Sequence, residues 1–518
     1  MNHEPNQPKE SVQKRTLWLF FLGTLGATSL LALNLASVRS TKIFHADLIT
    51  PFMIGKGLLA DRYAITSWNL PDAPYLFPDT LISFLLMATL GSYQLAAVAS
   101  VAVNASLFIA ITIAIARETK TTDGWPIVLA SIIFLHMILA AYAPNTYEML
   151  MTPQLRTYIH SGAFLSSGVA WVLLLRSLHA NGIYVQIAIF IISALSYSSD
   201  ALFLVQLVLP ATLTIALLSV VRSQGSISAM LKLIVPLWLG VVCGKILTLV
   251  LNLDGPRISI TTESVSVSWR AIFQYVTATA EAEPIAIITF ALIALLFVLT
   301  LSTRRAFWMN FRQGEPAEVF AVGVTAAFLI NIIAVAATGK FSGGQSLKYL
   351  ASVHWLIIPA LWYGQLYSGK ALTLRRPLAA SVAALALIGS TGSASQTVQY
   401  RNPIVECSIS VAAGAGAKLA VGDYWSAKPV TAFTRGILTV LPVDSDGDPY
   451  LWASSPADFS SAWRKHGDSP VLVLLNWLDR STLTNRSMRI SDVGSCGGFR
   501  FGLTERYTIS PVSLSREK

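Results

Sequence analysis

Long apolar runs separated by short polar loops recur along the first three quarters of the chain. A helix of about 20 apolar residues crosses the ~30 Å hydrocarbon core of a bilayer, so the pattern predicts eleven spans. They cover residues 17–37, 93–116, 125–142, 161–176, 183–199, 201–221, 229–251, 284–302, 318–337, 347–366 and 377–394. Residues 80–91 are apolar but too few to cross, which favours a re-entrant or interfacial helix there.

The hydropathy pattern divides the chain into three parts. Residues 1–16 form a polar N-terminal tail, and residues 17–396 form an all-α polytopic membrane domain with a long first loop at 38–79. Residues 397–518 consist of short aromatic and β-branched runs divided by Gly, Pro, Asp and Ser. That composition predicts a small α/β domain after the last span.

Composition supports a membrane protein, since the chain is 54% hydrophobic and only 12% charged. A soluble domain usually has about 25% charged residues. The net charge of +10 does not indicate nucleic-acid binding, because no basic, aromatic-rich domain is present. Lys and Arg instead lie in short loops between spans, where they set the orientation.

The loop charges predict a cytoplasmic N-terminus and an extracytoplasmic C-terminal domain in the inner (plasma) membrane. The basic loop residues on the predicted inner side include Arg117, Lys120, Arg176, Arg222 and Lys232. The acidic residues on the predicted outer side are Asp47, Asp61, Asp72, Asp79, Glu148, Asp254, Glu263, Glu281 and Glu283. The outer compartment permits disulfides, so Cys407 and Cys496 either pair there or remain thiols.

Among the acidic residues, Asp47, Asp79 and Asp200 lie at the outer ends of the predicted spans. A carboxylate at that surface suits a general base for a sugar hydroxyl or an organiser of a divalent cation such as Mg²⁺ or Mn²⁺. If a metal binds, Asp47 is its candidate ligand. The alternative for each acid is a helix cap, a role that Asp often has. For Asp200, a further alternative is membership of a polar cavity.

Basic residues at the same face are candidates for binding a lipid phosphate. Arg156 and His160 are four positions apart and share one face if the segment is helical. Lys348 and Tyr349 follow a Gly-Gly pair at the start of a late span. The alternatives are headgroup anchoring for the first pair and snorkelling for Lys348.

Familiar nucleotide-binding motifs are missing from the sequence. It has no Walker-type phosphate loop, no dinucleotide glycine fingerprint and no His-Glu zinc motif. Any sugar donor is therefore expected to be lipid-linked and not a sugar nucleotide.

The first loop resembles that of the multi-spanning GT-C-type glycosyltransferases, which use polyprenyl-phosphate sugars on the non-cytoplasmic side. The matching features are Asp47 after the first span, the spaced Gly55 and Gly57, the segment "WNLPDAPYLFPD" and the late element Lys348-Tyr349-Leu350. The chain departs from the family pattern in three places. No second acid adjoins Asp47, Phe77-Pro78-Asp79 replaces a double proline, and Lys replaces Arg in the late element.

The resemblance implies that Asp47 is the catalytic base or metal organiser and that Lys348 binds the lipid phosphate. The residues then suggest supporting roles: Asp79 beside Asp47, and Arg156, His160, Asp200 and Tyr349 around the leaving phosphate. Tyr424 and Trp425 would offer stacking faces to a glycan or lipid acceptor. A transporter or flippase of envelope precursors, or a non-catalytic envelope-assembly protein, is the alternative.

Overall fold

The computed structural model describes residues 23, 26, 44, 46–59, 68–71, 73–119, 125–147, 160–179, 182–222, 227–251, 253, 260–303, 305–350, 354–359, 402–434, 436–466, 469–476, 478, 489–505 and 507. The chain divides into two compact units. The first unit comprises Met1–Val38, Val101–Leu247 and Arg257–Ser395. The second comprises Arg39–Ser100, Thr248–Pro256 and Gln396–Lys518.

Most described elements are helices. They are α1 (Ala46–Leu59), α2 (Leu81–Leu90), α3 (Tyr93–Glu118), α4 (Trp125–Tyr142), α5 (Ser161–Ser177), α6 (Ile183–Ser199), α7 (Leu209–Val221), α8 (Ile227–Val250), α9 (Thr262–Ala282), α10 (Pro284–Thr303), α11 (Arg305–Gln313), α12 (Pro316–Ala337), α13 (Pro403–Ala415), α14 (Tyr424–Phe433) and α15 (Pro456–His466). Two π-helical turns, Leu76–Thr80 and Leu204–Val208, precede α2 and α7, and a 3₁₀ helix covers Gly344–Leu350.

Four helices among the described residues are long and apolar enough to cross a membrane. They are Tyr93–Glu118, Leu204–Val221, Met230–Val250 and Pro316–Ala337. Shorter apolar helices include Ser161–Ser177 and Ile183–Ser199. The chain is thus a helical protein compatible with a membrane, whereas eleven spans are not established. The predicted span 377–394 lies outside the described residues, as do nearly all of 17–37 and much of 347–366.

Small residues allow close helix packing in the first unit. A Cβ at Gly168 of α5 would lie 2.5 Å from the ring of Trp355, and one at Gly323 of α12 would overlap the ring of Trp171. Phe164 stacks on Trp355 with ring centroids 4.6 Å apart. Close approach of this kind is how helices associate in membranes, where van der Waals packing contributes much of the attraction.

Two regions of the first unit that the sequence analysis treats as loops are helical. Residues 262–282 form α9, and residues 305–313 form α11. The guanidinium of Arg222 donates to the carbonyls of Arg312 and Gln313, so it satisfies two carbonyls at the C-terminal end of α11. Both helices are amphipathic. Because their apolar residues are interrupted by polar ones, a search for continuous apolar runs does not detect them.

The second unit contains the β-strands, in the order β2-β1-β3-β5-β4. The strands are β1 (Leu419–Gly422), β2 (Thr439–Pro442), β3 (Val471–Leu474), β4 (Ser491–Cys496) and β5 (Phe499–Thr504). β1 pairs in parallel with β2 and β3, whereas β5 is antiparallel to β3 and β4. A disulfide joins Cys407 of α13 to Cys496 of β4.

The same unit includes the polar segment that follows the first apolar run. α1 packs against α2 and against α14. A Cβ at Gly55 of α1 would lie only 3.0 Å from the Cα of Phe84 in α2. Glycine at this position therefore lets the backbones of α1 and α2 approach each other closely.

Candidate functional site

Asp47 of the second unit is held by a residue from the far end of the chain. Its Oδ1 atom accepts a hydrogen bond from the hydroxyl of Tyr424 at 3.2 Å. That hydroxyl also lies 3.1 Å from Thr50 Oγ1, and the Thr50 hydroxyl donates to the carbonyl of Ala46. α1 begins at Ala46, so Asp47 lies inside its first turn, where negative charge is favourable. A role for Asp47 at the start of α1 would not by itself explain why its carboxylate also contacts Tyr424.

Tyr424 is placed by a strand-to-helix turn in the sheet. β1 ends at Gly422, and Asp423 then accepts hydrogen bonds from the backbone N–H groups of Trp425 and Ser426. This N-cap starts α14 with Tyr424 as its first residue. The turn lies at the carboxyl end of a strand with two parallel neighbours, the position where open α/β sheets usually bind ligands.

An aromatic cluster surrounds the Tyr424 ring. The ring centroids of Trp425, Trp452 and Tyr450 lie 5.1, 5.0 and 6.0 Å from it. Tyr424 itself is only 4% exposed, whereas Trp425 and Tyr450 are 49% and 39% exposed. Tyr424 therefore offers no open stacking face, and Trp425 and Tyr450 are the accessible rings of this cluster.

Lys428 is a buried cation beside this cluster that sequence reasoning missed. Its Nζ atom donates to the carbonyl of Ala453 at 2.7 Å. The ammonium lies 5.7 Å from the Tyr424 ring and 5.8 Å from the Trp68 ring. Its spacing of four residues from Tyr424 on a helix is the only signal in the sequence.

Asp79 lies on a different element of the same unit. It is 2% exposed and belongs to the π-helical turn before α2. Thr80 in that turn donates its hydroxyl to the carbonyl of Tyr75 at 2.8 Å. α1 packs against both this turn and α2, so the elements that hold Asp47 and Asp79 are in contact.

His160 and Asp200 form a buried pair in the first unit. His160 Nδ1 lies 2.6 Å from Asp200 Oδ2, and the two residues are 8% and 4% exposed. Asp200 Oδ1 accepts from the N–H of Leu202 at 2.9 Å. Asp200 thus acts as a local cap, one of the alternatives raised by the sequence, and it also pairs with His160.

His160 has a left-handed backbone conformation, with φ 68° and ψ 9°, immediately before α5. This region is uncommon for residues with a side chain, and such residues concentrate at functional sites. The Nδ1 atom of His160 faces the Asp200 carboxylate, and the tautomer of the ring decides which of its nitrogens carries the proton. The backbone and Asp200 together fix the direction of this ring.

Tyr349 and Lys348 complete this group. The rings of His160 and Tyr349 have centroids 4.9 Å apart, and Lys348 Nζ lies 5.4 Å from the Tyr349 centroid. The 3₁₀ helix Gly344–Leu350 carries both residues. Four of the five predicted phosphate-site residues are therefore grouped in one unit, while Arg156 lies outside the described residues.

A second buried polar group was also missed by the sequence analysis. The rings of His136 and His354 have centroids 6.2 Å apart, and the ring of Tyr147 lies 5.8 Å from His136. Phe164 lies one helical turn beyond His160, and its ring centroid is 6.2 Å from that of His354. Ionisable residues in apolar helices commonly mark functional regions.

The described residues contain no group of three or more His, Cys, Asp or Glu side chains arranged as metal ligands. Asp47 supplies one carboxylate, and Mg²⁺ is usually bound through one or two. No family model matches the chain, and no curated protein is detectably similar to it.

Proposed function

We propose that this protein is an integral membrane glycosyltransferase that transfers a sugar from a polyprenyl-phosphate carrier to an extracytoplasmic glycan or lipid. The contact between Asp47 and Tyr424 is the observation that most supports the proposal. It connects a first-loop acid to an aromatic cluster with two accessible rings, Trp425 and Tyr450. A base beside exposed aromatic rings suits an acceptor that carries hydroxyl groups.

In the proposed reaction, an acceptor hydroxyl oxygen attacks C1 of the donor sugar. The bond between C1 and the phosphate oxygen breaks, and its electron pair leaves with the polyprenyl phosphate. Asp47 accepts the proton of the attacking hydroxyl, and Tyr424 keeps the Asp47 carboxylate in place. Asp79 is a second acid of the same unit. Asp47 alone is assigned the proton transfer, and no step is assigned to a metal ion.

The leaving phosphate needs cationic or N–H partners, because negative charge accumulates on it as the bond breaks. We propose that Lys348 and His160, which are grouped in the first unit, bind the phosphate of the lipid carrier, and Arg156 is a further candidate from the sequence. Asp200 orients the imidazole of His160. The Tyr349 ring packs beside the side chains of His160 and Lys348.

Label transfer in membranes tests the proposal. Membranes from a strain that lacks the gene, and therefore retains the acceptor, are supplied with wild-type protein, Asp47→Asn or Asp446→Asn. They then receive polyprenyl-phosphate sugars labelled in the sugar. Asp446 is a matched acid from an exposed turn of the second unit. We expect label in a glycan or lipid product with wild type and Asp446→Asn and none with Asp47→Asn.

Two outcomes would contradict the proposal. One is equal transfer by wild type and Asp47→Asn. The other is movement of intact sugar-linked lipid across sealed vesicles without cleavage of its sugar–phosphate bond, which would indicate a transporter.

A further inference from the structure

Helix α9 has three faces of different character. The first face carries Ser264, Ser268, Ala271 and Tyr275, spaced four, three and four residues apart. At about 100° per residue these positions share one side of a helix. Ser268 is fully buried, and Ala271 and Tyr275 pack in a cluster with Phe341.

This first face lies along the loop that leads to Lys348. The Ser268 hydroxyl oxygen accepts from the N–H of Phe341 at 2.9 Å. A Cβ at Gly339 would lie 2.7 Å from Ser264, and one at Gly344 would lie 3.1 Å from Tyr275. Contacts with one short loop thus extend along three turns of the helix.

The second face of α9 is apolar and uncovered. Trp269, Phe273 and Val276 are 39%, 68% and 46% exposed, and they recur four and three residues apart. Val267, which is 48% exposed, is the one large exposed apolar residue of α9 outside this row. The third face is polar and exposed, and it consists of Glu263, Arg270, Gln274, Thr277 and Glu281.

The neighbouring helix indicates what covers the apolar face. α10 begins two residues after α9 ends and has a row of exposed apolar residues. These residues are Ile285, Ile288, Leu292, Leu295 and Val298. α10 covers the span that the sequence predicts at 284–302, although it is not one of the four candidate spans named above. Its 20 residues give a length of about 30 Å, close to the thickness of the hydrocarbon core. The apolar surface of α10 starts at its first turn, so if α10 crosses, the edge of the hydrocarbon falls next to the end of α9.

The position of α12 also places α9 near the edge of the hydrocarbon. It follows α10 after the short helix α11, so the end of α12 and the start of α10 belong to the same side if both cross. The loop 338–347 follows α12, and α9 lies along that loop. α9 also packs against α10 and α12 themselves.

We infer that α9 is an interfacial helix that lies in the headgroup boundary of the bilayer, with Trp269, Phe273 and Val276 in lipid and the Glu263–Glu281 face in water. Aromatic residues favour this depth, and amphipathic helices bury their apolar face there. The contacts of α9 with the loop before Lys348 hold that lysine near the level of lipid phosphates. The lipid contact of α9 does not depend on the proposed transfer reaction.

Depth measurement at paired positions tests the inference without an activity assay. Phe273→Cys and Gln274→Cys are made in a Cys243→Ser background, which removes the unpaired thiol. Each is labelled with an environment-sensitive fluorophore in vesicles of phosphatidylethanolamine and phosphatidylglycerol. We expect lipid carrying a spin label near the headgroup to quench the label at 273 at least threefold more than the label at 274. Aqueous iodide should show the opposite preference.

Equal quenching at 273 and 274 by the lipid probe would overturn the inference. So would shielding of position 273 from both quenchers together with a dimer that Phe273→Asp dissociates, because a second copy would then cover the face.

Discussion

The hydroxyl of Tyr424 donates to Asp47 Oδ1 at 3.2 Å, although the two residues are 377 positions apart in the chain. The contact places a first-loop carboxylate against the turn that follows β1. Tyr424 is a positioning residue in this arrangement, because its ring is buried and its hydroxyl touches the proposed base.

Tyr424→Phe tests that role. The variant keeps the buried ring and removes the hydroxyl, so the aromatic cluster should remain folded. We expect kcat for sugar transfer to fall about tenfold, equivalent to ~1.4 kcal/mol, with little change in KM. Tyr184→Phe is the control, since it removes the hydroxyl of a tyrosine that is 83% exposed and lies in the first unit. An unchanged kcat in Tyr424→Phe would remove Tyr424 from the mechanism.

Asp200→Asn tests the orientation of His160. Asparagine retains an oxygen that can accept from Leu202 N–H, but a neutral amide holds the imidazole less strongly than a carboxylate does. We expect KM for the lipid donor to rise several-fold while the melting temperature in detergent changes little. Glu263→Gln neutralises an exposed acid of the same unit and should leave both values unchanged. A loss of folding without a specific effect on donor KM would indicate a structural role only.

Lys348 is expected to act by its charge. Lys348→Ala should raise KM for the lipid donor about tenfold, whereas Lys348→Arg should retain most binding, because a cation still faces the phosphate. The wild-type KM should also rise with salt, which screens charges at a partly exposed site. Lys340→Ala removes an exposed lysine from the same loop and serves as the comparison. Equal effects of Lys340→Ala and Lys348→Ala would reduce the role of Lys348 to general surface charge.

Two glycines should respond to alanine in opposite directions. Gly55→Ala places a methyl group 3.0 Å from the backbone of Phe84, so we expect a loss of about 1–3 kcal/mol. Gly414 lies in the exposed part of α13 with nothing within 4 Å of an added Cβ. Gly414→Ala should therefore raise stability by about 0.5–1 kcal/mol. Thermal melts of the two variants in the same detergent provide the comparison.

The disulfide between Cys407 and Cys496 spans 89 positions of the chain. Replacing both cysteines with serine should lower the stability of the second unit by about 2–4 kcal/mol, because the unfolded chain gains freedom. Cys243→Ser should have no such effect, because Cys243 is unpaired. Identical melting of the double variant and wild type, with and without reductant, would contradict this expectation.

The amino-acid sequence by itself determined where most of the apolar helices lie. The predicted 125–142 and 183–199 coincide with α4 and α6. The reason is local: in an apolar run the backbone satisfies its own hydrogen bonds most simply as a helix. The change of composition after residue 397 likewise predicted the mixture of helices and strands found in the described part of the C-terminal segment.

Tertiary structure alone decided which polar groups meet. His160 and Asp200 are 40 positions apart, and the contact between Asp47 and Tyr424 crosses most of the chain. Neither pair has a local signal, because hydrogen bonds between distant segments depend on how helices and strands pack. α9 was missed for a related reason: its apolar residues recur with helical spacing among polar ones, and their significance depends on the surfaces beside them.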